Sequence, residues 1–155
     1  MRRSSMTNLS RREALAAGVG FATITMLPLS WAHADKALVD KAIADFTGGA
    51  AVSEGNVTLD MPEIAENGNT VPLNVSVDSD MADDNYIESV MILAAGNPTP
   101  GVATFHFTPL SGEAAATTRM RLAGTQDVIA VAKTSKGEFF QAGTTVKVTI
   151  GGCGG

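Results

Sequence analysis

The stretch Val71-Pro72-Leu73-Asn74-Val75-Ser76-Val77 decides the fold class. Its odd-numbered positions are all apolar, and its even-numbered positions are polar or proline, which is the period of two expected for a strand with one buried face. Proline cannot donate a hydrogen bond to a neighbouring strand, so Pro72 indicates either an edge strand or a position near the strand start. The stretch therefore predicts a half-buried β-strand.

The chain on either side of this stretch carries further strand patterns. Tyr86 to Ala94 is apolar on both faces, which predicts a strand buried on both sides. Together with weaker runs the count reaches about seven or eight strands, and this spacing of short strands and turns predicts an all-β, immunoglobulin-like antiparallel β-sandwich. The remaining predicted strands are Val57–Met61, Val102–Thr108, Thr117–Leu122, Val128–Lys133, Glu138–Ala142 and Thr145–Ile150.

One helix is predicted before the strands. Apolar residues between Lys36 and Phe46 recur at helical spacing, Asp35 is placed to cap the helix start, and Gly48-Gly49 is placed to end it. Alternation within the later strands also predicts side-chain directions. Met120 should face the core, and Arg119 and Arg121 should face outward.

Residues 1–34 have the layout of an export signal. A charged region ends in Ser10-Arg11-Arg12, an uncharged stretch runs from Ala14 to Ala32, and Ala32-His33-Ala34 offers small residues for cleavage after Ala34. The paired arginines resemble a twin-arginine signal, and the stretch has too few strongly apolar residues for a membrane anchor. We expect a periplasmic protein with a β-sandwich domain at 35–150 and a flexible arm at 151–155.

Charge and cysteine content exclude several classes of function. The net charge is −5, and removal of the signal leaves seven bases and fifteen acids, so 7 − 15 = −8. An acidic chain without a basic patch is not expected to bind nucleic acid. A single cysteine cannot form an internal disulfide or a cysteine-rich zinc site.

The segment Gly151-Gly152-Cys153-Gly154-Gly155 is one that a packed fold does not need. Gly151, Gly152, Gly154 and Gly155 should make it flexible and thin, and five extended residues reach roughly 17 Å. Cys153 has no histidine, cation or helix start beside it in sequence to activate its thiol. The segment therefore predicts a non-catalytic carrier with covalent cargo on Cys153, with no catalytic residue, cofactor or metal of its own.

The end of the chain, Val146 to Gly155, resembles the SoxY-type sulfur-carrier subunit of the periplasmic thiosulfate-oxidising (Sox) system. The resemblance extends to three other segments: Asn97-Pro98, Val102 to Pro109, and Arg119 to Gly124. It implies a heterodimer with a SoxZ-like small β-sandwich subunit and sulfur intermediates attached to Cys153. It also implies partner enzymes, namely a c-type cytochrome, a metal-dependent hydrolase that releases sulfate and, in hosts that have one, a sulfane dehydrogenase.

Several other interpretations of the same residues remain open. A periplasmic copper chaperone would use Met61, Met81, Met91, Met120, His106 and Cys153, although these ligands are dispersed. A thiol enzyme would need His106 as a base for Cys153, and a purely structural module would leave the arm without a purpose. The acidic run from Asp78 to Asp84 is interpreted as a solvated turn. Arg119 and Arg121 could face a partner, hold anionic cargo or simply be solvated.

Overall fold

The alternating stretch forms a strand with the predicted bounds, Val71–Val77. The computed structural model describes the backbone of residues 31–152 and the side chains of residues 36–152. In this part of the chain it contains helix α1 (Trp31–Thr47), a short 3-10 helix (Pro109–Ser111) and nine strands: β1 (Val52–Glu54), β2 (Val57–Asp60), β3 (Ile64–Asn67), β4 (Val71–Val77), β5 (Ile87–Ala94), β6 (Gly101–His106), β7 (Ala114–Met120), β8 (Gln126–Thr134) and β9 (Phe139–Ile150).

The strands form two sheets, as the sandwich prediction required. The large sheet has six strands, in the order β1-β9-β8-β5-β6 with β3 also paired to β9, and the small sheet has the order β2-β4-β7. Every pairing is antiparallel except those of β1 and β3, which run parallel to β9. These two short parallel strands are absent from the predicted set. Neither strand has apolar residues at alternate positions, whereas the equally short β2 has Val57 and Leu59.

Alternation along β4 places one face in the core between the sheets. Val71 and Leu73 are fully buried, Val75 and Val77 nearly so, and the intervening residues are exposed. Pro72 is the second residue of β4, which is the central strand of the small sheet. Its position near the strand start, and not at a sheet edge, is therefore what accommodates the proline.

Strand β5 is buried on both faces, as predicted. Val90 and Ile92 belong to the core between the sheets, while Leu93 is fully buried on the opposite face. On that side the ring of Phe46 in α1 meets Phe139 of β9 edge to face, with 6.1 Å between ring centroids. Helix α1 therefore packs on the outer face of the large sheet, outside the two sheets of the sandwich.

The helix ends where predicted but begins earlier. Gly48 and Gly49 follow it with φ of 64° and 82°, the left-handed conformation that glycine adopts most readily. The start at Trp31 means that Asp35 lies inside the helix and not at its N-cap, which corrects the prediction. In residues 31–152, α1 included, none of the helices has the length and apolar character needed to cross a membrane.

The prediction also divided β9 into two strands. The run from Phe139 to Ile150 is one strand, and its pairing with β8 continues through Gly143, which lies opposite Ile129. Gly143 and the following threonines interrupt the apolar period without interrupting the backbone ladder. The hairpin between β8 and β9 is confirmed, with the amide of Gly137 donating to the carbonyl of Thr134 at 3.0 Å.

Packing of α1 on the large sheet generates a first prediction. Phe46→Ala removes the edge-to-face contact with Phe139 and should lower the free energy of unfolding by about 2 kcal/mol. Leu38→Ala, on the same helix but 45% exposed, is the matched control and should cost less than about 0.5 kcal/mol. Urea unfolding measures both, and equal losses in the two variants would contradict this packing.

Candidate functional site

The C-terminal segment is held at one end of the sandwich by backbone hydrogen bonds. The Gly68 amide donates to the Ile150 carbonyl, the Leu122 amide donates to the Gly68 carbonyl, and the Gly152 amide donates to the Leu122 carbonyl, each at 2.8 Å. Gly68 lies between β3 and β4, and Leu122 follows β7. We call Gly68, Leu122, Ala123, Gly151 and Gly152 the terminal corner. In the terminal corner the C-terminal backbone leaves β9 of the large sheet and contacts the loop that follows β7 of the small sheet.

Three glycines in the terminal corner pack too closely for any side chain. A Cβ on Gly68 would overlap the carbonyl oxygen of Leu122, and a Cβ on Gly151 would overlap that of Ala123. A Cβ on Gly152 would lie 2.7 Å from the carbonyl oxygen of Gly68, well inside van der Waals contact. Gly151 and Gly152 were expected to supply flexibility, and close packing is a second, independent reason for glycine there.

A buried amide network supports the loop that receives Gly152. Asn97 is 5% exposed, and its Nδ2 donates to the Arg121 carbonyl at 2.9 Å. Its Oδ1 accepts from the Ala123 amide at 3.0 Å and from Nε2 of Gln126 at 2.9 Å. Hydrogen bonds on both sides of Leu122 therefore fix the carbonyl to which Gly152 binds.

The network also includes the turn before β6. The Gly96 amide donates to Oε1 of Gln126 at 2.7 Å, and Nε2 of Gln126 also donates to the Gly124 carbonyl at 3.2 Å. No pattern in the sequence marks Gln126 as a site residue, and Asn97 is marked only by the resemblance. A buried amide surrounded by turn residues carries no periodic pattern, so its partners become visible only in three dimensions.

Segments that carry the resemblance meet here. Asn97-Pro98, the run from Arg119 to Gly124, and the run from Val146 to Gly152 are far apart in sequence, and the hydrogen bonds of Asn97, Leu122 and Gly152 join them. The segment from Val102 to Pro109 lies along β6 and does not contribute to the terminal corner. The predicted attachment residue, Cys153, and the glycines Gly154 and Gly155 lie outside the described residues.

Arg119 and Arg121 lie beside the terminal corner, and His106 does not. Both arginines are exposed, as predicted, while Met120 between them is buried. Nη1 of Arg119 approaches the Thr70 hydroxyl at 3.5 Å. His106 is exposed on β6 opposite Ser89, five residues along β5 from Ala94. At about 3.3 Å per residue that separation exceeds roughly 15 Å, so the structure does not bring His106 to this corner.

The dispersed soft ligands also remain apart. Met81 and Met120 are buried in the core, whereas His106 is exposed on an edge strand. Among residues 36–152, no group of three or more His, Cys, Asp or Glu side chains is arranged to hold a metal ion. The acidic residues from Asp78 to Asp84 follow the far end of β4, at the opposite end of the sandwich from Gly68.

The fold and this corner define a small immunoglobulin-like β-sandwich in which a glycine-flanked cysteine follows an anchored backbone. The family model described as "Sulfur oxidation protein SoxY" matches residues 43–153. The chain therefore belongs to the SoxY family.

A solved structure supports the same assignment. The sulfur carrier protein SoxY from Chlorobium limicola f thiosulfatophilum is 31% identical, with a TM-score of 0.63, and the match covers 74% of this chain and 99% of that one. None of the curated proteins compared with the chain matches it.

More distant structures share the fold alone. A superoxide reductase (neelaredoxin) from Ignicoccus hospitalis is 17% identical over 61% of this chain and 80% of that one, with a TM-score of 0.54. The superoxide reductase from Nanoarchaeum equitans is 12% identical over 62% of this chain and 100% of that one, with a TM-score of 0.53.

The amide network generates a second prediction. Asn97→Ala leaves the Arg121 carbonyl and the Ala123 amide without their buried partner, and should destabilise the fold by about 2–4 kcal/mol. Asn74→Ala is the control, because Asn74 makes an exposed hydrogen bond to Asp60 and should cost less than about 1 kcal/mol. Chemical denaturation measures both. A tolerated Asn97→Ala would show that the loop does not need this amide.

Close packing at Gly68 generates a third. In Gly68→Ala the new methyl group must displace the Leu122 carbonyl or the Gly152 amide, so exchange of the Gly152 amide proton should accelerate at least tenfold, about 1.4 kcal/mol of lost protection. Gly124→Ala is the matched control, because a Cβ there meets nothing within 4 Å. NMR hydrogen exchange makes the measurement, and unchanged protection in Gly68→Ala would contradict the steric argument.

Proposed function

We propose that this chain is a periplasmic sulfur carrier that holds thiosulfate-derived intermediates covalently on Cys153. The observation that supports this most strongly is that the family match runs through residue 153 and so includes the cysteine. The similar structure from Chlorobium limicola f thiosulfatophilum is that of a sulfur carrier protein. Because the sequence has one cysteine, one thiol is available for attachment.

Loading is an oxidation that the carrier cannot perform by itself. The Cys153 thiol and thiosulfate join through a new S–S bond to give a cysteine S-thiosulfonate, and one proton and two electrons leave. The electrons pass to a partner c-type cytochrome. The carrier supplies the sulfur nucleophile and its position, while the redox centre belongs to the partner.

Unloading proceeds through further partner enzymes. A metal-dependent hydrolase adds water across the bond to the terminal sulfonate, releasing sulfate and a proton and leaving a persulfide on Cys153. Where a sulfane dehydrogenase is present, it oxidises the outer persulfide sulfur to a sulfonate with three oxygen atoms from water, and seven protons and six electrons leave, the electrons passing to that enzyme's own electron acceptor. This chain turns over no substrate, and it works as a heterodimer with a SoxZ-like subunit.

Anchoring of Gly152 limits how far the cargo can extend from the body. With its amide bound to Leu122, the Cα atom of the following residue is only about 3.8 Å beyond Gly152. In an arm that is free from Gly151 onward, Cys153 is the third residue and reaches roughly 10 Å, which requires release of the Gly152 amide from Leu122. Each such hydrogen bond contributes only about 0.5–1.5 kcal/mol net, so binding to a partner enzyme can supply the energy.

Export fits the same role. Residues 1–34 are the twin-arginine-type signal, and removal after Ala34 leaves a mature chain that starts at Asp35, with the sandwich at 35–150 and the carrier arm at 151–155. Helix α1 begins at Trp31, so processing shortens it by four residues at the end remote from Phe46. The contact between Phe46 and Phe139 is retained after this shortening.

Substitution of the cysteine tests the proposal. Cys153→Ser should abolish thiosulfate-dependent mass adducts and leave the unfolding midpoint unchanged, because hydroxyl oxygen does not form the S–S bond. Thr149→Ser, a similarly small change at an exposed position of β9, is the control and should load normally. Intact mass spectrometry of protein purified from the periplasm without reductant makes the measurement. Adducts that persist in Cys153→Ser would refute attachment at this residue.

A further inference from the structure

Four of the seven basic side chains in residues 36–152 form no ion pair there, namely Arg119, Arg121, Lys136 and Lys147. Within residues 36–152, three lysines form ion pairs with carboxylates: Lys36 with Asp40, Lys41 with Asp45, and Lys133 with Glu88. Arg119 and Arg121 form none in this part of the chain. Arg119 and Arg121 differ from the two unpaired lysines in occupying alternate, exposed positions that lead directly into Leu122 of the terminal corner.

Their position relates them to the cargo. Arg121 directly precedes Leu122, whose carbonyl binds the Gly152 amide, and Cys153 directly follows Gly152. Arg121 and Cys153 are therefore the chain neighbours of the two residues joined by the hydrogen bond between Gly152 and Leu122. Arg119 lies two residues further along the outward face, and its guanidinium extends to Thr70, next to the loop that contains Gly68.

One acidic group, Asp60, shares the outer face of the small sheet with Arg119. It lies opposite Asn74 of β4, two residues along from Pro72, which lies opposite Arg119, and it accepts a hydrogen bond from Nδ2 of Asn74 at 3.1 Å.

Other acidic groups lie away from this face. Asp78, Asp80 and Asp84 line a surface cavity at the opposite end of the sandwich. Glu66 lies on β3, where it alternates with inward-facing Ala65, so it projects from the outer face of the large sheet. Arg119 and Arg121 project from the small sheet. Neither arginine has a carboxylate within ion-pairing distance among residues 36–152.

We propose that Arg119 and Arg121 form a binding site for the anionic sulfonate end of the cargo on Cys153. This inference rests on the proposed carrier function. The sulfonate lies two S–S bonds, each about 2 Å, from the cysteine sulfur and presents three acceptor oxygens. Guanidinium groups offer planar, paired donors that suit such an oxyanion. The site favours loading by anionic sulfur donors and keeps the loaded group at the terminal corner between visits to partner enzymes.

Reaction of the isolated chain with two small reagents tests the site. Tetrathionate is an anion whose central S–S bond is broken by the Cys153 thiol, giving the cysteine S-thiosulfonate, thiosulfate and one proton. Methyl methanethiosulfonate is neutral and transfers a methylthio group to the same thiol, with methanesulfinate as leaving group. Because the sequence has one cysteine, both rates report on Cys153, and time-resolved intact mass spectrometry measures them. The ratio of the two rates is insensitive to general changes in the reactivity of the Cys153 thiol.

The variants separate local charge from total charge. In Arg119→Gln/Arg121→Gln the ratio of the tetrathionate rate to the neutral-reagent rate should fall roughly three- to tenfold at about 10 mM salt, and the fall should shrink at about 1 M. Lys136→Gln removes a positive charge from the hairpin at the far end of β8 and should leave the ratio unchanged. Arg119→Lys/Arg121→Lys keeps both positive charges, and its rate ratio should be close to that of the unsubstituted chain.

Two results would overturn the site. One is an unchanged ratio in the double glutamine variant, which would assign the arginines to a protein partner or to solvent. The other is an equal fall in Lys136→Gln, which would show an effect of net charge alone. Both reagents react with an accessible thiol whether or not the chain carries thiosulfate-derived sulfur in the cell. Failure of this site is therefore distinguishable from failure of the carrier function.

Discussion

A buried side-chain amide needs partners for its donor and its acceptor alike, and at Asn97 those partners are the backbone of the loop between β7 and β8. Because Asn97 bonds on either side of Leu122, it sets the position of the Leu122 carbonyl. That carbonyl receives the Gly152 amide, and Gly68 completes the contact from the other side. The placement of the residue before Cys153 thus depends on an amide in a different part of the chain.

Much of the fold follows from alternation that local sequence imposes. The bounds of β4, the double burial of β5 and the outward direction of Arg119 and Arg121 were all predictable, because burial of one sheet face against a core produces a period of two. The short strands β1 and β3 were not predictable. They have few residues, and their parallel pairing with β9 is decided by partners distant in sequence.

The chemistry of the candidate site is a prediction from the sequence, whereas its geometry could not be predicted. The single cysteine between glycines indicated a carrier, and the resemblance identified Asn97-Pro98 and the run after Arg119. The place where these segments meet is visible only in the folded structure. The sequence suggested backbone flexibility as the reason for Gly151 and Gly152, whereas in the structure Ala123 and Gly68 leave no room for a Cβ at these positions. Steric demands between residues so far apart leave no trace in local composition. A glycine required by close backbone packing cannot be distinguished in a sequence from one required by backbone flexibility.

Pairing of β9 with β1 and β3 has a consequence for folding kinetics. Val52 pairs with Phe139 and Asn67 with Ile150, so closing these ladders joins segments separated by most of the domain. Contacts between such distant segments carry a large loop-closure entropy and are slow to form. Gly68 comes immediately after β3, and it can meet Gly152 only once the β3–β9 ladder exists. Docking of Gly152 is therefore expected late in folding, after the ladder between β3 and β9 has formed.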